Sequence, residues 1–230
     1  MLYRDEDEDD ELLPFTDRAE AGRILGAKLA AYSGRGDVVV LGLPRGGVPV
    51  AFEVAQVLNV PLDVLVVRKL GTPWERELAM GAIASGEVQV LDLSTVKQLG
   101  VPSEAIRLVA AAERKELDRQ ERLYRGSRPP VSVTGKTVIL VDDGIATGSC
   151  VLAAIAAVRR HGAERIVVAI PIAPATACSA IRMEADEVIT VAEPEMFLAV
   201  SQWYENFGET SDDEVRTLLE SSRNPMPRAA

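Results

Sequence analysis

The chain has 230 residues, 47% of them apolar, and a formal net charge of −10 at pH 7. That is enough apolar material for one well-buried core, and seven of the negative charges sit in DEDEDDE, Asp5 to Glu11, so the remainder carries only about −3. No basic face of the density that nucleic acid requires is present, and no apolar run approaches the ~18 residues of a membrane span.

The acidic block repels itself and buries nothing, so residues 1–13 are expected to be a disordered tail. Beyond it, TDRAEAGRILGAKLAAYSGRGD reads as a helix. Asp17 and Glu20 have capping-box spacing, Ile24, Leu25 and Leu29 share a face, and Gly34 can close it. DVVVLGL (37–43) is β-branched without polar alternation, as in a strand covered on both faces. PRGG turns the chain into a helix over 48–59, and PLDVLVVRKL (61–70) reads as a second buried strand. LAMGAIASGEVQVLD (78–92) suggests a hairpin turning near Ser85-Gly86, and Ser103 opens a charged helix running to about Tyr124. A strand over 136–143 and a helix from Thr147 to His161 follow, then a strand over 164–172, the helix ATACSAIRME and a strand over 186–192. SDDEVRTLLE repeats the capping signature with Ser211 and Glu214, and 223–230 is expected to fray. Strand and helix alternate with short loops, which predicts an α/β fold: an open, mainly parallel sheet flanked by helices.

Ligands of such sheets bind at the carboxyl ends of the strands. Three loops there hold the informative residues: PRGG, RKLG and DDGIATGS. In VILVDDGIATGSC four apolar residues lead directly to Asp142 and Asp143. Gly144 and Gly148 allow a tight turn and close approach of a ligand. The helix beginning near Thr147 offers free N–H groups to a phosphate, with the Thr147 and Ser149 hydroxyls beside them. Two carboxylates next to a phosphate cradle make sense if they face hydroxyls or a hydrated divalent cation on the same ligand, as in a sugar phosphate. GxxxxGK(S/T), GxGxxG and DxDxT are all absent, which disfavours triphosphatase, dinucleotide and phosphatase readings.

VILVDDGIATGSC resembles the phosphoribosyl-pyrophosphate signature of type I phosphoribosyltransferases. The resemblance implies that Asp142 and Asp143 meet the ribose hydroxyls and help place magnesium, reaching it indirectly through ribose or water. It also implies that Gly144, Ile145, Ala146, Thr147, Gly148, Ser149 and Cys150 wrap the 5-phosphate. Ser149 stands where many members have a second glycine. Arg45-Gly46-Gly47 resembles the family's pyrophosphate loop, and Arg68-Lys69 resembles the pair that follows the next strand in adenine phosphoribosyltransferases. Arg45, Arg68 and Lys69 are thereby the expected catalytic cations, with Gly46 and Gly47 turning backbone N–H groups to pyrophosphate.

The resemblance spans roughly residues 35 to 192. It implies a core over 14–192 with an insertion at about 71–135, and a small C-terminal hood over 193–222 that recognises the acceptor. Trp203 and Tyr204 are candidate acceptor contacts or hood packing. Arg122, Arg125 and Arg128 either reach pyrophosphate or form a solvated helix end, and His161 is expected to close its helix before Gly162. The expected activity is transfer of phosphoribose from phosphoribosyl pyrophosphate to a nitrogen acceptor resembling a nucleobase, with Mg2+ as cofactor and a homodimeric assembly. The alternative is a non-catalytic regulatory protein that binds phosphoribosyl pyrophosphate. Cys150 and Cys178 lack the spacing of a zinc or disulfide framework, and the N-terminus is acidic where a signal peptide is basic; both point to the cytoplasm.

Overall fold

A computed structural model describes residues 14–75, 78–86 and 88–223. The acidic tail expected over 1–13 lies outside them, as does the frayed end apart from Arg223. The first helix, α1 (Arg18–Lys28), starts on the predicted cap, with the Asp17 carboxylate accepting from the Glu20 N–H at 2.9 Å. The Glu20 carboxylate accepts from the N–H of Thr16, one residue earlier than a reciprocal box requires. The α-helix ends at Lys28, and a 3-10 turn over Ala30–Tyr32 carries the chain on to Gly34.

Strand β1 (Val38–Gly42) is wholly buried, and α2 (Gly47–Leu58) ends on Asn59 in the left-handed conformation. The single strand predicted over 61–70 is two strands. β2 (Leu62–Val64) stays in the parallel sheet, while β3 (Val67–Gly71) leaves it to pair antiparallel with β4 (Ala79–Ala84). The change of sheet occurs at Leu65 and Val66, where Leu65 still donates to Gly42 but Val66 exchanges hydrogen bonds with Ser85. A continuous apolar run suits both sheets, so its composition holds no sign of the break. β5 (Val88–Leu91) completes the predicted hairpin across the turn at Ser85-Gly86.

Asp92 then caps a short helix absent from the sequence expectations, α3 (Leu93–Gln98), by accepting from the Ser94 and Thr95 N–H groups. α4 (Ser103–Arg125) begins and ends as expected. Strand β6 (Thr137–Val141) leads to α5 (Ser149–Arg160), which opens two residues after Thr147 because Gly148 takes a φ of +76°. His161 caps the end of α5, its Nδ1 2.7 Å from the Ala157 carbonyl. Then follow β7 (Arg165–Ile172), α6 (Ala175–Arg182), β8 (Glu187–Ala192), a 3-10 turn over Val200–Trp203 and α7 (Asp212–Arg223). Ser211 Oγ accepts from the Glu214 N–H at 3.1 Å, as its spacing suggests.

The main sheet has the order β2-β1-β6-β7-β8 with every neighbouring pair parallel, so all five carboxyl ends share one edge. Leu25, Val50, Val54 and Leu58 of α1 and α2, with Leu29 just past α1, cover one face, and Val151, Ile155, Val158 and Ile181 of α5 and α6 cover the other. The second sheet lays Ala84 and Val88 against Ala157 of α5, and α4 packs on β3 and β4. α7 closes the side of the molecule against α2, α4 and β2.

Candidate functional site

β1 and β6 are neighbours in register, so the loops leaving their carboxyl ends touch. The Leu43 N–H continues the ladder onto the Val141 carbonyl at 2.9 Å. A Cβ at Gly46 would lie 2.0 Å from Asp143 Oδ2, and one at Gly47 would lie 2.7 Å from the Asp142 Cα and the Val141 carbonyl. Both glycines are therefore required by loop-on-loop packing, a role separate from the ligand approach that the sequence suggests. The Gly47 N–H is already bonded to the Leu43 carbonyl at 3.0 Å, as befits the opening turn of α2.

The second loop keeps the expected form. Ile145 is buried, with its N–H on the Ile172 carbonyl, while Ala146 and Thr147 are exposed. Gly148 turns the chain into α5, and Thr147 Oγ1 lies 3.3 Å from Ser149 Oγ, so two hydroxyls stand at that helix's N-terminus. Cys150 is half-buried; burial and the Asp142 charge push its thiol up, opposed by Lys69 and Arg68. Residues from the RKLG and DDGIATGS stretches thus act near the start of α5. Arg68 and Lys69 do so from within β3 of the second sheet, where a loop at the main sheet's edge was expected.

The two acids have different surroundings. Asp142 Oδ1 accepts from the Asp143 N–H at 2.9 Å, and burial plus the neighbouring Asp143 charge holds its carboxyl well above the ordinary carboxylate range. Asp143 Oδ2 accepts from Arg18 Nε at 2.8 Å, in a pair only 12% and 14% exposed. Arg18 also donates to the Gly208 carbonyl at 2.7 Å and lies 3.9 Å from the centre of the Phe207 ring. Sequence reasoning misses Arg18. It is the first residue of α1, where a cation opposes the helix dipole, and that mismatch is a local sign that it has another partner.

The predicted arginines are paired. Arg45 binds Glu209, and Arg68 Nη2 lies 2.7 Å from Glu113 of α4. Arg122, Arg125 and Arg128 do not join the three loops. Arg122 is exposed, and Arg125 is 6% exposed, its Nε 3.3 Å from buried Asp63. Arg128 Nε donates to the Arg125 carbonyl at 2.9 Å. Tyr204 is 5% exposed, between Phe15 and Phe207, and its hydroxyl donates to the Asp143 carbonyl at 2.5 Å. It therefore presents no open ring face for an acceptor and instead braces the acid loop. Trp203 is half-buried and stacked on Phe197 with ring centres 6.5 Å apart, and its Nε1 is buried without a partner among the described residues.

Two cavities, of about 240 and 410 Å³, lie away from these loops, one beside Ser85 and His161 and the other beside Asn59 and Arg223. The chemistry of the loops, with acids, hydroxyls, paired cations and a helix N-terminus, makes the sheet edge the stronger candidate.

The family model for a phosphoribosyl transferase domain matches residues 15–207, a span that includes Arg18, Tyr204 and Phe207. Two curated Mycobacterium tuberculosis proteins, from strains CDC 1551 / Oshkosh and H37Rv, are named provisionally as phosphoribosyl transferases. Each is 47% identical over 215 residues, or 94% of this chain. The chain spans about half the length of these curated relatives, 48%. The crystal structure of TT1426 from Thermus thermophilus is 40% identical with a TM-score of 0.77, covering 89% of this chain and 97% of that one.

Proposed function

The chain belongs to the phosphoribosyl transferase family, and from that premise we propose that it moves the phosphoribosyl group of 5-phosphoribosyl 1-pyrophosphate onto a nitrogen acceptor resembling a nucleobase. The observation that carries this reading is the close packing of Gly46-Gly47 on Asp142-Asp143, in the loop that leads to the N-terminus of α5. Gly144 to Cys150 receive the 5-phosphate, with N–H groups and the Thr147 and Ser149 hydroxyls as donors. The acid loop meets the ribose hydroxyls, and Arg45, Arg68 and Lys69 meet the pyrophosphate.

In the reaction the bond from the anomeric carbon to the pyrophosphate oxygen breaks, its electron pair leaving on pyrophosphate. The acceptor nitrogen supplies the pair for the new bond and sheds its proton to solvent. Positive charge builds on the ribose and negative charge on the leaving group, so the protein's contribution is placement and fixed charge. Among the described residues no three His, Cys, Asp or Glu side chains converge, but Asp142 provides hard oxygen donors. Magnesium would be held indirectly by Asp142 and Asp143, through ribose or water, and would supply charge neutralisation on the leaving group. A homodimer and a cytoplasmic location belong to the same reading; no described helix is long and apolar enough to cross a membrane.

A second reading has an observation of its own. Arg45 and Arg68 are already paired with Glu209 and Glu113, so part of their charge is spent inside the protein before any pyrophosphate arrives. A regulatory protein that held the ligand through the 5-phosphate loop and the acid pair alone, leaving both arginines on their glutamates, would bind phosphoribosyl pyrophosphate without turnover. Incubation with phosphoribosyl pyrophosphate, magnesium and a panel of nucleobases separates the two. Pyrophosphate release that depends on one base supports transfer, whereas tight binding with no release for any base supports the regulatory reading.

A further inference from the structure

Of the four glutamates of α4, three pair within the helix. Glu104 binds Arg107, Glu116 binds Arg119 at 2.8 Å and Glu121 binds Arg125 at 3.0 Å, each partner three or four positions on. Those are the spacings at which side chains meet on a helix surface. Glu113 has no such partner, because Glu116 and Leu117 stand at the matching positions. Its carboxylate leaves the helix for Arg68 of β3, where Oε2 accepts from Nε at 2.9 Å and from Nη2 at 2.7 Å. The Glu113 and Arg68 side chains are 27% and 32% exposed, so the pair is open to a ligand as well as to water. Neighbouring guanidinium N–H groups of this kind are what an arginine uses to grip a carboxylate or a phosphate.

We propose that Glu113 is an internal anion that competes with pyrophosphate for Arg68, and so sets how tightly the pyrophosphate end of the ligand is held. The inference rests on the sugar-phosphate reading of the site, with Arg68 as a pyrophosphate contact, and deepens it by making α4 the element that tunes that contact. Two effects act in the same direction. Glu113 occupies donors that an arriving phosphate would use, and its charge repels the phosphate whichever donors are taken. Both effects are modest, since an ion pair this exposed is weak. A multiply charged anion therefore displaces Glu113 or shares Arg68 with it, and is not shut out. A loose hold suits a product that must leave after each transfer, when Arg68 returns to Glu113.

The test measures Kd by calorimetry for pyrophosphate with magnesium, phosphoribosyl pyrophosphate with magnesium, and ribose 5-phosphate, with melting curves to check folding. The wild type is compared with Glu113→Gln, Glu113→Ala and Glu104→Gln. The last changes the net charge equally, but its glutamate has a partner, Arg107, in its own helix. Both Glu113 variants are expected to bind pyrophosphate and phosphoribosyl pyrophosphate about fivefold more tightly, or about 1 kcal/mol. Ribose 5-phosphate, which lacks the group that meets Arg68, is expected to stay within about twofold of wild type, the scale of a screened charge. Glu104→Gln should match the wild type for every ligand. If Glu113 merely held Arg68 in place, its loss would weaken pyrophosphate binding; if it only joined α4 to β3, the melting temperature would fall with Kd unchanged. Either result overturns the proposal. Equal tightening for ribose 5-phosphate, or the same tightening in Glu104→Gln, overturns it as well, because a general charge effect would then suffice. Should Glu113→Ala not fold, Glu113→Gln, which keeps the size of the side chain, decides alone. Absence of wild-type binding of phosphoribosyl pyrophosphate would overturn the sugar-phosphate reading itself, and this inference with it.

Discussion

Gly46 and Asp143 occupy one space, and that contact sets what a mutation there does. A valine at 46 would put Cβ 2.0 Å from Asp143 Oδ2, so the acid must move and Arg18 loses its partner. Gly46→Val is therefore expected to weaken ribose 5-phosphate and pyrophosphate alike and to cost roughly 1–3 kcal/mol of stability, the scale of an overpacked site, read as a lower melting temperature. Selective loss of pyrophosphate, checked by calorimetry with each ligand, would show that the turn can absorb the side chain. Asp142 gives a pH prediction. Its folded-state carboxyl titrates above the unfolded one, so its stabilising contribution is full below the unfolded pKa and is lost as pH rises through the folded one. Asp142→Asn removes that loss and keeps an oxygen to accept from the Asp143 N–H. The variant should melt above wild type at neutral pH, and the gap should close as pH falls to about 4. A constant gap across that range, in melting curves at several pH values, would exclude the titration as its cause.

At the scale of elements, β2, α4 and α7 are joined through one buried carboxylate. Asp63 is 1% exposed and holds Arg125 at 3.3 Å, the Val131 N–H at 2.9 Å and Arg223 at 3.4 Å. Removing one partner of a buried pair leaves an uncompensated charge, whereas removing both lets apolar groups pack in their place. Arg125→Met is therefore expected to cost about 3 kcal/mol in denaturant melts, and Asp63→Leu added to it to recover only part of the loss, because the Val131 N–H and Arg223 then lose their acceptor. Equal destabilisation by the single and double variants would mean that these residues act through shape alone. The same junction explains why Arg125 does not serve the ligand edge: its side chain is spent on β2, bonding the Asp63 carboxylate and the Val64 carbonyl.

For the whole molecule, ligand binding couples to folding through mass action. A ligand at a hundredfold excess over Kd adds about 2.7 kcal/mol to the folded state, and each kcal/mol raises the midpoint of a domain this size by roughly 2–4 °C. Saturating phosphoribosyl pyrophosphate is expected to raise the melting temperature by about 5–11 °C. Magnesium should enlarge the shift, since the acid loop otherwise meets an uncompensated anion. A larger shift with magnesium and ATP, measured in the same assay, would count against the phosphoribosyl reading.

The sequence by itself determined most of the order of the elements, short of α3 and the β2–β3 division, together with the parallel sheet and the two loops at the ends of β1 and β6. Those features are written in local terms: an apolar run of strand length, a cap such as Asp17 or Ser211, a glycine where the chain must turn. The Ser85-Gly86 hairpin was legible for the same reason. Tertiary structure decided where the 61–70 run divides, because both halves are apolar and only their partners, Gly42 and Ser85, distinguish them. It also decided that Arg125 serves Asp63, that Arg45 and Arg68 are paired, and that Tyr204 braces the acid loop. Arg18 and Asp143 are 125 positions apart, and Tyr204 is 61 from the carbonyl it holds. Contacts at that separation leave almost no trace in periodicity or spacing, since any helix can carry an arginine and only the fold brings it to an acid.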